Sequence, residues 1–158
     1  MKKHVAFLTI LLEMTLLLFS CVSPKDVILT SFGEYQSHEF YTEGYFQDYT
    51  DYAKYYYDSV DFTDNEYFYK IGQADIDVLN EHLDDFESWI KTYREGDASR
   101  EIVVNYDFDR SLIDNEDYLY IESEQYDPWN DGNMVFASYD IYFFDIQTNI
   151  LYYFHNNI

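Results

Sequence analysis

The sequence predicts an α+β fold in which one long helix packs on a curved antiparallel sheet of about five strands. Three observations carry this expectation. Residues 75–94 repeat their apolar positions at helical spacing. The segments after them are strand-like and are separated by turn residues. Aromatic residues make up 22% of the chain, enough large apolar surface to build a core.

Taken in order, residues 44–58 place Tyr45, Tyr49, Tyr52, Ala53 and Tyr56 on one helical face, which predicts an extra, Tyr-lined N-terminal helix. Residues 66–71 (EYFYKI) read as a strand. In the long helix Ile76, Leu79, Leu83, Phe86, Ile90 and Tyr93 recur at spacings of 3, 4, 3, 4 and 3, one stripe along the helix. Asp75 and Asp77 stand where the helix dipole favours anions, Lys91 and Arg94 at the opposite end, and Gly96 is placed to terminate it. Residues 101–108 alternate, with Ile102, Val104, Tyr106 and Phe108 on one side, and residues 118–125 alternate as well. Residues 134–146 are apolar on both sides, and residues 150–155 pair back on them through Gln147-Thr148-Asn149, where Asn149 tolerates a positive φ. This element order is similar to the cystatin-like and NTF2-like superfolds, which host many functions and so imply none.

The N-terminus has a different logic. Lys2 and Lys3 precede an apolar run over residues 5–19, which ends at Ser20 and Cys21. Charge, apolar core and small-residue site are the order of a secretory signal. The run is shorter than the roughly 20 residues of a membrane span and contains Glu13. Leu18-Phe19-Ser20-Cys21 resembles the lipobox of bacterial lipoproteins, with a bulkier residue than usual at Phe19. The resemblance implies removal of residues 1–20 and a diacylglycerol on Cys21. That lipid would anchor the protein on the cell membrane or the outer membrane. An ordinary secretory signal with an incidental Cys21 is the alternative. On this reading residues 21–34 are a short lipidated tether, and residues 35–158 are one acidic, Tyr-rich domain.

Composition excludes several functions. The leader holds two Lys and one Glu, so its removal leaves seven basic and thirty acidic residues, a net charge of −23. Nucleic acids need a basic surface, and anionic headgroups repel this one. A large partner is expected to be cationic, although acidity also serves solubility alone. Cys21 is the sole cysteine, so the domain has no internal disulfide.

Catalytic signatures are missing: there is no Gly-x-Ser-x-Gly motif and no glycine-rich phosphate loop. His82 stands on the long helix without a second ligand at helical spacing, and Glu81, Asp84 and Asp85 read as a solvated acidic flank. Residues 127–133 (DPWNDGN) fail the calcium-loop order, because Trp129 and Ser138 occupy ligand positions; they read as a turn. No cofactor is expected.

The sharpest expectation concerns the two sheet faces. If the helix packs on Ile102, Val104, Leu119, Ile121, Ala137, Ile141 and Phe143, alternation puts Tyr118, Tyr120, Tyr142 and Phe144 on the opposite face, with Tyr152 beside them. Open to water, that face would bind a partner or a second copy of the chain. Covered by the Tyr-lined helix, it would be a second core. Two functions follow: a binding module for a cationic protein or peptide at the cell envelope, or an envelope enzyme or metal-dependent factor using carboxylates with His82 or His155. Cys21→Ala is expected to release or mislocalise an otherwise folded protein, as followed by fractionation. A mature Cys21→Ala chain that stays with the membrane, its leader removed, would overturn the anchoring role.

Overall fold

A computed structural model describes residues 24–45 and 48–157. The long helix forms where its periodicity demands, and Leu79, His82, Leu83, Phe86 and Ile90 are its buried stripe. The Gly72 N–H donates to Asp75 Oδ2 at 2.8 Å, so an acid closes the positive end of the helix. In chain order the elements are α1 (Pro24–Thr30), β1 (Tyr35–Tyr45), β2 (Asp48–Tyr57), β3 (Tyr69–Lys70), α2 (Gln73–Gly96, the long helix) and α3 (Glu101–Asn105). A 3₁₀ turn (Arg110–Leu112), β4 (Tyr118–Tyr126), β5 (Val135–Asp145) and β6 (Ile150–Asn157) complete the chain. The class is α+β. The strands make one six-stranded antiparallel sheet in the order β1-β2-β6-β5-β4-β3.

Each face of the sheet has its own core. α2 and α3 cover one face, where Tyr52, Leu119, Ile141, Phe143, Tyr152 and Phe154 meet Leu79, Leu83, Phe86 and Ile102. The other face carries Ala53, Tyr55, Tyr57, Tyr142, Phe144, Leu151 and Tyr153 beneath Ile28, Leu29, Phe32 and Phe68. Phe32 is its keystone: ring centroids of Phe62, Phe68, Tyr57 and Phe144 lie 4.6–5.3 Å away. The Tyr57 hydroxyl donates to the Leu29 carbonyl at 2.7 Å, which fastens α1 to β2.

Four expectations are corrected. The described part of residues 44–58 is not a helix: Gly44 and Tyr45 end β1, and residues 48–57 form β2. Gly44 has φ +138°, and a Cβ there would run into the Asp48 carbonyl oxygen, so glycine is required where the hairpin turns. β2 is buried on both faces, so tyrosines occur at both parities and helical spacing arises by coincidence. Residues 101–108 do not form a strand; the five-residue α3 buries Ile102 and Val103 and leaves Val104 65% exposed. Packing overrides the β-propensity of Ile-Val-Val, because Ile102 and Val103 together fit the groove beside α2. The tether expected over residues 21–34 is, from Pro24 onwards, α1 and its packed continuation to Phe32. Finally, Tyr152 pairs with Phe143 and lies on the α2 face, and Tyr153 takes the expected place beside Tyr142. The slip is one residue, which in a strand exchanges faces.

Asn149 has φ 56° in the hairpin between β5 and β6. Cys21 lies outside the described residues.

Phe32→Ala is expected to cost about 3–5 kcal/mol, because it empties the centre of the second core. Urea unfolding measures this. A loss under 1 kcal/mol would mean that α1 does not hold that core closed.

Candidate functional site

The expected aromatic face exists and is filled. Phe62 stacks on Tyr118 with centroids 3.9 Å apart, Tyr67 meets Tyr120 edge-on at 5.8 Å, and Phe32 meets Phe144 at 5.3 Å. Tyr142 and Phe144 are 2% and 0% exposed. The cover consists of α1 and residues 60–68 instead of the expected Tyr-lined helix.

Each histidine considered as a ligand or base has a structural partner. His82 Nδ1–H donates to the Val78 carbonyl at 2.8 Å, and Nε2 lies 3.0 Å from Ser123 Oγ, so both ring nitrogens are engaged. His155 Nδ1–H donates to Asp140 Oδ1 at 3.0 Å. Among the described residues no group of three or more His, Cys, Asp or Glu side chains is arranged to hold a metal. The loop 127–133 is tied by Asp127, whose carboxylate accepts the N–H groups of Trp129, Asp131 and Gly132. Those bonds make a turn.

The functional candidates gather where the hydrophobic sheet ends. Along most of their length β2, β5 and β6 are aromatic or aliphatic. At one end they turn polar: Thr50 and Asp51, Tyr139 and Asp140, His155 and Asn156. Strand pairing lines these up in two rows. On the α1 face Asp51 lies opposite His155, and His155 opposite Asp140. On the α2 face Glu43 lies opposite Thr50, and Thr50 opposite Asn156.

In the first row Asp140 accepts from His155 and also from the Tyr153 hydroxyl at 2.5 Å. Burial raises its pKa, yet those two hydrogen bonds and the nearby charges of His155 and Lys25 outweigh burial and hold the carboxyl below its usual range. Lys25 of α1 places its ammonium 3.7 Å from the Tyr153 ring centroid. Tyr49 covers His155, with centroids 4.7 Å apart. The row is a packed hydrogen-bond network with Lys25 of α1 laid against it.

The second row opens into a groove of about 230 Å³ between the β1–β2 hairpin, the end of β6 and the C-terminal half of α2. Trp89 and Tyr93 form its aromatic wall, their ring centroids 6.2 Å apart. Thr50 Oγ1 donates to Asn156 Oδ1 at 2.9 Å and lies 2.9 Å from Tyr93 Oη. Thr50 has one hydroxyl proton and gives it to Asn156, so the Tyr93 hydroxyl must be the donor to Thr50. Asn156 is 2% exposed, and among the described residues its Nδ2 has no hydrogen-bond partner. Arg100 packs 5.4 Å from the Tyr93 ring and pairs with Glu43 at 2.5 Å.

No family model, curated protein or solved structure matches the chain.

Sequence reasoning singled out His155 but missed Thr50, Asn156 and Trp89. The available signal was a polar pair, His155-Asn156, closing an otherwise aromatic strand.

Asp140→Ala removes the acceptor of two buried donors and is expected to cost about 1.5–3 kcal/mol at pH 7. The sign follows from the lowered pKa: Asp140 contributes stability above the ordinary carboxylate pKa, and loses it as pH falls through the folded value. Wild type and Asp140→Ala should therefore converge in urea midpoint on acidification. A gap that stays constant down to strongly acid pH would remove this network from the stability of the fold.

Proposed function

We propose that this chain is a lipoprotein of the cell envelope, anchored through Cys21, whose domain captures a cationic protein segment. The observation that carries the reading is the open edge of β4. β3 pairs with Tyr118 and Leu119, so among the described residues the backbone of residues 120–126 has no strand on its outer side. That edge exposes Glu122 and Glu124, and Asp127 follows. An extended segment can add to such an edge through main-chain hydrogen bonds, and the acids select basic side chains. The same charges oppose pairing of the edge with a second copy of itself.

The surroundings reinforce the sign. Four of the basic side chains are already paired within the domain: Lys54 with Glu39 and Asp107, Lys70 with Glu116, Arg100 with Glu43, and Arg110 with Asp84 and Glu87. Asp77 and Glu81 add exposed charge on the solvent side of α2. Among the described residues no helix is long and apolar enough to cross a membrane. On this reading the lipid supplies the membrane affinity, with each buried acyl carbon worth about 0.8 kcal/mol.

An alternating Lys-Thr peptide is the probe. It is expected to slow hydrogen exchange at residues 120–126, to bind progressively more weakly as salt is raised past about 0.1 M, and to lose binding to the double variant Glu122→Lys, Glu124→Lys. Binding that survives that charge reversal, or protection elsewhere on the domain, would overturn the assignment of the edge.

A further inference from the structure

We infer that the groove lined by Trp89, Tyr93 and Asn156 binds a neutral sugar ring bearing an acetamido group. The groove lies away from the β4 edge, and the inference stands independently of the cationic partner.

Size is the first constraint. At about 230 Å³ the groove falls below the roughly 300–1,000 Å³ of sites for drug-sized ligands, so it accommodates one ring with a short substituent. The walls are the second constraint. Trp89 and Tyr93 are half-buried, so aromatic surface remains accessible in the site. The C–H face of a pyranose packs on such rings while its hydroxyls stay in water. Asp48 on the rim offers an acceptor to one of those hydroxyls.

The hydrogen-bond polarity narrows the class further. The chain Tyr93 O–H to Thr50 O–H to Asn156 Oδ1 runs in one direction, because Thr50 has a single proton. Tyr93 Oη has therefore spent its proton and can only accept. Asn156 Nδ2, buried and without a partner, can only donate. The site needs a ligand that offers an acceptor and a donor side by side. The C=O and N–H of an acetamido group meet both requirements, the carbonyl at Asn156 and the N–H at Tyr93.

Other ligand classes fit less well. A bare cation leaves the Asn156 donor unmet. An acyl chain leaves the same donor buried without a partner, a loss of about 1–3 kcal/mol, which is roughly 5- to 140-fold in affinity.

The test uses the whole lipoprotein in a detergent without a sugar headgroup. Trp129 is 70% exposed in the turn between β4 and β5, so a Trp129→Phe background leaves Trp89 as the only indole. N-acetylglucosamine, N-acetylgalactosamine and short N-acetylglucosamine oligomers are titrated against glucose, galactose and glucose oligomers of equal length. The expected result is a saturable change in Trp89 emission with at least one acetamido sugar, and binding about tenfold tighter than to the matched sugar without the acetamido group. Tyr93→Phe keeps the wall and removes the acceptor, so it should weaken binding about three- to tenfold without shifting the urea midpoint of the apo protein by more than one hydrogen bond's worth. No saturable response to any acetamido sugar at tens of millimolar would overturn the inference. So would equal affinity for the plain sugars, or binding indifferent to Tyr93→Phe in a folded variant.

Discussion

The three central strands, β2, β6 and β5, have almost no solvent face, and the rest of the architecture answers that constraint. A sheet buried on both sides needs two covers, and a short chain must find them close by. α2 is one. The other is assembled from α1 and residues 60–68, which bring Ile28, Leu29, Phe32, Phe62 and Phe68 onto the far face. Because both faces are dry, the strands can hold aromatic rings at every position, and they do so between Tyr52 and Tyr57 and between Tyr142 and Phe144, with Ala53 and Lys54 the only interruptions.

Burying so many tyrosines creates a second demand, since each phenol brings a hydroxyl that must be satisfied. The acidic residues meet it. Tyr52 donates to Asp107, Tyr56 to Glu39, Tyr106 to Glu87, Tyr139 to Asp85 and Tyr153 to Asp140, all within 3.0 Å. Burial first, and then the neighbouring carboxylates, push the Tyr52, Tyr139 and Tyr153 phenols above their ordinary range, so they remain donors at every physiological pH. The abundance of tyrosine and the abundance of acid are therefore one feature of the chain. Part of the negative charge is structural, and only what stays exposed, such as Glu122, Glu124, Asp77 and Glu81, is available to a partner.

This coupling also explains which elements were legible. α2 was, because one face is dry and the other wet, and the 3.6-residue period appears in the residues themselves. β5 and β6 were, because Asn149 marks the turn between long apolar runs. β2 was not: with both faces buried it has no alternation, and its tyrosines fall at helical intervals by coincidence. β1 (YQSHEFYTEGY) is an edge strand whose half-exposed residues carry no clean pattern. α3 is too short for a period to be recognised. The single-residue slip at Tyr152 came from alternation counted without the register, which only the β5–β6 pairing supplies. The two faces themselves were legible from β4 and β5, whereas the identity of the cover depended on contacts from residues far away in sequence.

The groove was hidden for a related reason. Thr50, Tyr93 and Asn156 are separated by more than a hundred positions at the extreme, and each alone is an ordinary polar or aromatic residue. Only the sheet register brings Thr50 opposite Asn156 and sets α2 over both. Their joint property is a direction, the single proton of Thr50 forcing one neighbour to give and the other to receive. A fold selected only for stability would close that chain on itself, for an unmet buried amide is costly. Here the chain ends at Asn156, whose Nδ2 stays unmet; Asp51 Oδ1 and His155 Nε2 in the other row are unmet too, and what distinguishes Asn156 is that it lines a groove with aromatic walls.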